Sequence, residues 1–189
     1  MRVLTIDQSM ASCAFIVIDG EEPIYKEVMH TTGSDNPKAY QTKFDNPVEQ
    51  MRFIAQRIAE VACSFKVEHI VSESLSFGSA GNATRDLAGL FFVIQSTLLD
   101  SGFSMSQIHM VAPTSAKSWA RNILPEEIRG VKGSLIKMGK DEMMQACKIL
   151  VPNLLDGYTK TGKNGGSTDL ADAYLIGRCF IERYAAGGK

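Results

Sequence analysis

No apolar run in this sequence approaches the roughly 20 residues that a membrane span needs. The opening residues, MRVLTID, lack the basic start, apolar stretch and small-residue cleavage site of a secretion signal. Both absences predict a cytoplasmic protein, in a bacterium or a phage-infected cell. The four cysteines, Cys13, Cys63, Cys147 and Cys179, are too far apart for a zinc knuckle or a CxxC redox pair. They read as small, reduced apolar residues. His30, His69 and His109 fall on three separate predicted strands, which argues against a histidine metal trio. Positive charge is also short: 20 Lys and Arg stand against 21 Asp and Glu, a net charge of −1. A large nonspecific affinity for nucleic acid is therefore not expected. There is no internal repeat, no low-complexity segment and no linker composition, so residues 1–189 read as a single domain.

Hydrophobic residues make up 44% of the chain, enough for a sizeable core. Arg2–Ser9 and Cys13–Asp19 are β-branched-rich runs joined by a short turn, which predicts a hairpin. Ile24–Thr31 predicts a third strand, and the polar stretch Thr32–Asn46 predicts a loop. Asn46-Pro47 opens a helix, because Asn caps well and Pro is tolerated in the first turn. Val48, Met51, Ile54, Ile58, Val61 and Phe65 continue it at helical spacing to about Lys66. Further strands are predicted over Glu68–Ser74 and Ser106–Ala112. Helices are predicted over Ala83–Asp100, from Pro113 through Trp119, over Lys140–Leu150, and from a Thr168 cap to about Tyr184. Ser76–Thr84, Leu124–Gly139 and the glycine-rich Asp156–Ser167 read as loops, the last of them mobile. This order gives an α/β fold, a mixed five-stranded sheet flanked by helices. The Ala83–Asp100 helix is apolar on more than one face, as in a helix that is deeply buried or shared with a partner.

Four acids stand out. Asp7 lies inside the most apolar strand, after Val3, Leu4 and Ile6, and Glu73 ends the fourth strand, after Ile70 and Val71. A carboxylate in a core strand costs several kcal/mol to desolvate unless a partner or cation compensates. Both sit at C-terminal strand ends, where open α/β sheets bind ligands. Asp169 and Asp172 share one face of the last helix by their i, i+3 spacing. Asp169 would also stabilise the helix N-terminus by itself. Four carboxylates without His or Cys form an oxygen-ligand set suited to Mg²⁺ or Mn²⁺. Two such ions per site can drive phosphodiester hydrolysis. Setting aside these four of the 21 acidic residues leaves 17 against 20 Lys and Arg, a remainder of +3. DNA is then an admissible partner.

The pattern resembles the RuvC family of Holliday junction resolvases, of the RNase H-like superfamily. That family opens with a strand patterned like IDPGS, here Ile6-Asp7-Gln8-Ser9. It has a Glu ending the fourth strand, here Ile70-Val71-Ser72-Glu73-Ser74. An APTxxK segment follows the fifth strand, here Ala112-Pro113-Thr114-Ser115-Ala116-Lys117. The last helix carries DAADALA, here Asp169-Leu170-Ala171-Asp172-Ala173-Tyr174-Leu175. The order and spacing match across nearly the whole chain. Gln8-Ser9 replaces the usual Pro-Gly, and Thr32–Asn46 and Leu124–Gly139 are longer than the family needs. The resemblance implies a Mg²⁺-dependent endonuclease acting on branched DNA, chiefly four-way junctions, as a homodimer built largely on the Ala83–Asp100 region. It implies that Asp7, Glu73, Asp169 and Asp172 hold the metal and that Lys117 and Lys140 meet the DNA backbone near the cut. It also implies an aromatic that stacks on junction bases, with Phe77 one position away from the family's residue. Arg85, Lys160 and Lys163 are further candidate phosphate contacts.

Other readings remain at this level. A nucleotide-binding domain of the actin-like sugar kinase class also begins with a strand, an acid and a polar turn, but needs two such domains. A flap- or fork-cutting nuclease, an RNase H-type nuclease and a non-catalytic branched-DNA-binding protein share the fold.

Overall fold

The computed structural model describes residues 1–75, 81–131, 133–185 and 187. Its strands are β1 (Arg2–Asp7), β2 (Ser12–Asp19), β3 (Glu22–Thr32), β4 (Thr42–Lys43), β5 (His69–Glu73) and β6 (Ile108–Val111). Its helices are α1 (Pro47–Ser64), α2 (Asn82–Asp100), α3 (Pro113–Arg121), α4 (Glu126–Arg129), α5 (Lys140–Leu150) and α6 (Ser167–Ala185). The strands form one sheet in the order β4-β3-β2-β1-β5-β6. β1, β2 and β3 pair antiparallel, while β5 joins β1, and β6 joins β5, in parallel. The five expected strands are all present. The sixth, β4, is two exposed residues pairing with Thr31 and Thr32 inside the segment expected to be loop.

β1 shows how the layers arise. Leu4 and Ile6 point to one face, against Ile54 and Ile58 of α1 and Leu90, Ile94 and Leu98 of α2. Val3, Thr5 and Asp7 take the other face, which α6 covers; Val3 packs there with Ile176, Cys179 and Phe180. Ala14, Ile16 and Ile18 of β2 extend this second layer against Leu170, Tyr174 and Leu175 of α6 and Met143, Ala146 and Cys147 of α5. α1 begins as expected: the Asn46 side chain accepts the Val48 N–H at 2.8 Å, with Pro47 in the first turn. α6 starts at Ser167, one residue before the expected cap, and its first backbone bond runs from Leu170 N–H to the Gly166 carbonyl. Thr168 therefore lies within the first turn. The preceding glycine-rich loop is stitched by backbone bonds from Thr159 to Asn164 and from Ser167 to Thr159.

Two glycines let α6 lie close to the sheet. Gly166 has φ +107°, and a Cβ there would come within 2.7 Å of the Val28 side chain. At Gly177 a Cβ would stand 2.1 Å from Thr5 Cγ2 and 2.9 Å from Ile18 Cδ1. Thr5 and Ile18 are fully buried, so neither can move aside cheaply. Gly177→Ala is expected to destabilise the protein by about 2–3 kcal/mol through overpacking, read as a lower urea midpoint at unchanged slope. An unchanged midpoint would show that α6 does not depend on this close approach.

Candidate metal centre

Three elements converge at one end of the sheet. The parallel register sets Ile6 beside Ser72, so the next residues, Asp7 and Glu73, end neighbouring strands. Alternation puts Asp7 on the face of Val3 and Thr5, and Glu73 on the face of Val71, which is the face that α6 covers. Asp169 and Asp172 occupy the first turns of α6 over the same strand ends. All four are half-buried.

Their electrostatics record the convergence. Burial pushes the Asp7 carboxyl well above its ordinary range, and the charges of Asp172, Asp169 and Glu73 push it further the same way. Burial together with the charges of Glu73 and Asp169 raises Asp172 from 3.8 to about 6. Glu73 is raised by burial and eased by the Lys117 ammonium. Lys117 also lowers Asp172, and Lys140 lowers both Asp7 and Asp172. These two exposed lysines, one on α3 and one opening α5, are thus the cations that face the acids.

Asp169 is anchored: Ser12 Oγ donates to its Oδ2 at 2.6 Å, and Thr168 Oγ1 donates to its Oδ1 at 3.0 Å. Asp172 Oδ1 is buried and accepts no hydrogen bond among the described residues. A buried, unpaired carboxylate oxygen among three other acids fits a divalent cation. Oxygen donors alone suit a hard ion such as Mg²⁺ or Mn²⁺. Among the described residues no three His, Cys, Asp or Glu side chains stand in closed coordinating geometry. Mg²⁺ is satisfied with few protein ligands because it keeps several waters.

The remaining candidates separate. Arg85 is exposed on α2 and pairs with its neighbour Asp86 at 3.3 Å. Lys160 pairs with Asp141 of α5, and Lys163 is exposed in the loop before α6. Phe77 lies outside the described residues. Trp119 is half-buried, packs against the α5–α6 layer and donates to Glu182 at 2.8 Å. His69 and His109, expected to be scattered, meet on β5 and β6 at 3.0 Å, at the other end of α6 among Phe180 and Tyr184. His30 is elsewhere, against Tyr40, so no histidine trio forms. Two residues near the acids escaped the sequence reading. Ser12 holds Asp169 from across the hairpin, and the Gln8 amide donates to the Glu73 carbonyl at 2.8 Å. Nothing in their local sequence signals either contact, since both join residues far apart in the chain.

No family model matches the sequence, and no curated protein matches it. Solved structures do match the fold. RuvC of Thermus thermophilus is 16% identical, with 99% of this chain and 97% of that one aligned at a TM-score of 0.66. The same organism's RuvC in complex with a Holliday junction substrate aligns over 99% and 96% at 0.67, with 15% identity. The yeast mitochondrial Holliday junction resolvase Ydc2 aligns over 97% of this chain and 79% of its own, at 0.56 and 16% identity. The chain therefore has the RNase H-like fold of the RuvC resolvases.

The raised acids predict an inverted pH dependence in the metal-free protein. A carboxyl whose folded value lies above its unfolded one binds protons more tightly when folded, so it stabilises at low pH. For Asp172 this stabilisation is lost as pH rises from about 4 through about 6. Metal-free protein should melt at a lower temperature at pH 7 than at pH 5, and Asp172→Asn should gain about 1–2 kcal/mol at pH 7. Mg²⁺ should narrow the difference between the two pH values. Stability that climbs steadily from pH 4 to 7 without metal would rule out four mutually repelling acids.

Proposed function

We propose that this chain is a divalent-metal-dependent, structure-selective endonuclease that resolves four-way DNA junctions as a homodimer. The carrying observation is the convergence of Asp7, Glu73, Asp169 and Asp172 from three elements at one sheet end, in a fold shared with RuvC. A neighbour with that fold has been solved on a Holliday junction, which supports branched DNA as the substrate class.

Asp7, Glu73, Asp169 and Asp172 would hold two Mg²⁺ or Mn²⁺ ions, which when bound activate water and stabilise the leaving oxygen of a phosphodiester. The chain's own side chains do the rest. Ser12 and Thr168 orient the Asp169 carboxylate through its two oxygens. Lys117 and Lys140 offset the acids' charge and present exposed ammonium groups to the DNA backbone around the scissile phosphate. Lys163, exposed and without an ion-pair partner among the described residues, would meet a phosphate directly, whereas Arg85 and Lys160 must exchange Asp86 and Asp141 for one. Phe77, next to the site in sequence, is the proposed base-stacking residue.

The dimer reading is supported by α2. Its Leu90, Ile94 and Leu98 are buried against α1 and the sheet, yet Phe92 is 63% exposed and Leu99 42% exposed. These two are seven residues apart, on one helical stripe. A second copy related by a two-fold axis would cover that stripe and hold two sites at a fixed separation. With so little excess positive charge, selection for a branch would then rest on this spacing rather than on bulk attraction to DNA.

Purified protein should cut labelled four-way junctions only with Mg²⁺ or Mn²⁺, in preference to Y-forks, flaps, linear duplex and RNA–DNA hybrids. Preferential cutting of flaps or hybrids would reassign the substrate, and tight junction binding without cutting would mark a non-catalytic binder. Asp7→Asn, which keeps shape and removes charge, should lower cleavage at least about 10²–10³-fold while junction binding persists. Cleavage within a few-fold of the parent would refute the metal site.

Light scattering at micromolar concentration should return the dimer mass, and Phe92→Ser should shift it toward the monomer. A monomeric parent that stays monomeric on junction DNA would refute paired cutting.

A further inference from the structure

The parallel ladder between β1 and β5 ends too early for the site it carries. Its register runs from Val3–His69 to Ile6–Ser72 and stops one residue before the two acids. Beyond that point the Gln8 side chain reaches across, its Nε2 donating to the Glu73 carbonyl at 2.8 Å. Gln8 directly follows Asp7, so this one amide joins the backbones of both acid-bearing residues where the sheet no longer does. On the β5 side, Ser74 N–H continues to Val111 of β6, so the end of β5 is held from both flanks.

Gln8 is only 8% exposed, and its Oε1 is buried without a hydrogen-bond partner among the described residues. An orphaned amide oxygen costs about 1–3 kcal/mol, so an apolar residue would serve the fold better. The residue stands where the resembled pattern has Pro-Gly, neither of which has a side-chain donor. The unpaired oxygen belongs to the same amide that touches Glu73, leaving a free acceptor beside the acids.

We propose that Gln8 is the positioning residue of the acid cluster: its carboxamide sets the spacing of Asp7 and Glu73, and thereby the affinity for a divalent cation. The inference rests on the metal-site reading above. Outer partners that orient ligating carboxylates typically carry 10–100-fold in metal affinity, which sets the size of the effect.

The test is calorimetric titration of the DNA-free protein with Mn²⁺, comparing the parent with Gln8→Met, which keeps length and loses both amide atoms. Gln8→Asn, polar but too short to reach Glu73, serves if the methionine variant fails to fold. Leu98→Ala, in the core under α2, controls for lost stability. The parent should bind Mn²⁺, the Gln8 variant should bind about 10–100-fold more weakly while folded by circular dichroism, and Leu98→Ala should match the parent. A Gln8 variant that binds Mn²⁺ like the parent overturns the positioning role and leaves the metal site standing. Equal weakening in Leu98→Ala also overturns it, since the loss would then track stability. A parent that binds no Mn²⁺ overturns the metal site itself, and the role of Gln8 with it.

Discussion

Four carboxylates held near one another against their own repulsion set the terms for the rest of this molecule. Burial and like charge both disfavour ionisation of Asp7 and Asp172, so the metal-free protein carries stored electrostatic cost at neutral pH. Such an arrangement persists only where a rigid frame over-determines it. Here the frame is the sheet centre: β1 is paired on both sides, and its residues Val3, Leu4, Thr5 and Ile6 are fully buried. The ends of β1 and β5 cannot spread without breaking that core.

The other half of the cluster depends on α6, and α6 depends on contact with the sheet rather than on its own amphipathicity. From Leu170 to Leu175 the helix is fully buried on every side, except at Asp172. The near-contact of Gly177 with Thr5 permits that depth. Arg178 follows, buried with its guanidinium spanning Tyr174, Glu21 and Glu182. This network ties the helix to the β2–β3 turn far from the acids. A buried cation so anchored resists sliding of the helix, because any shift would strand its charge. The position of Asp169 and Asp172 is thus determined by apolar packing and one distant arginine, with Ser12 making the final adjustment.

Much of this was legible in the sequence because the informative residues violate their local pattern. An Asp closing the run Val3-Leu4-Thr5-Ile6, and an Asp inside an otherwise apolar helical face, are costly enough to demand an explanation, and the spacing 169/172 fixes their common side. β4 was not legible: Thr42 and Lys43 are exposed on both faces and carry no alternation. The cap of α6 was misplaced by two residues because Gly166 and Thr168 both make acceptable helix beginnings, and the close approach at Gly166, where a Cβ would meet Val28, distinguishes them. Gln8 and Ser12 were invisible because their partners lie 65 and 157 residues away. The pairing of His69 with His109 was hidden for the same reason, as it follows from β5 and β6 being neighbours.

On the proposed reading, the charge distribution would separate catalysis from attraction to substrate. Among the described residues, Lys117 and Lys140 are the cations that act on the acids, and both are exposed, so they would be able to meet a phosphate without being drawn fully into the cluster. Were they buried ion-pair partners of Asp7 or Asp172, they would neutralise the site and compete with a cation. Two half-engaged lysines instead leave the acids under-compensated, which would favour a cation, and they provide a positive edge where the backbone of a nucleic acid would enter. Several other cations are spent on local partners: Arg57 on Glu27 and Glu60, Arg85 on Asp86, Lys160 on Asp141. A protein that neutralises its surface in this way has little force for holding ordinary duplex, so under the proposed function its discrimination would come from shape presented at two points at once. The exposed stripe of Phe92 and Leu99 is where that second point would be attached.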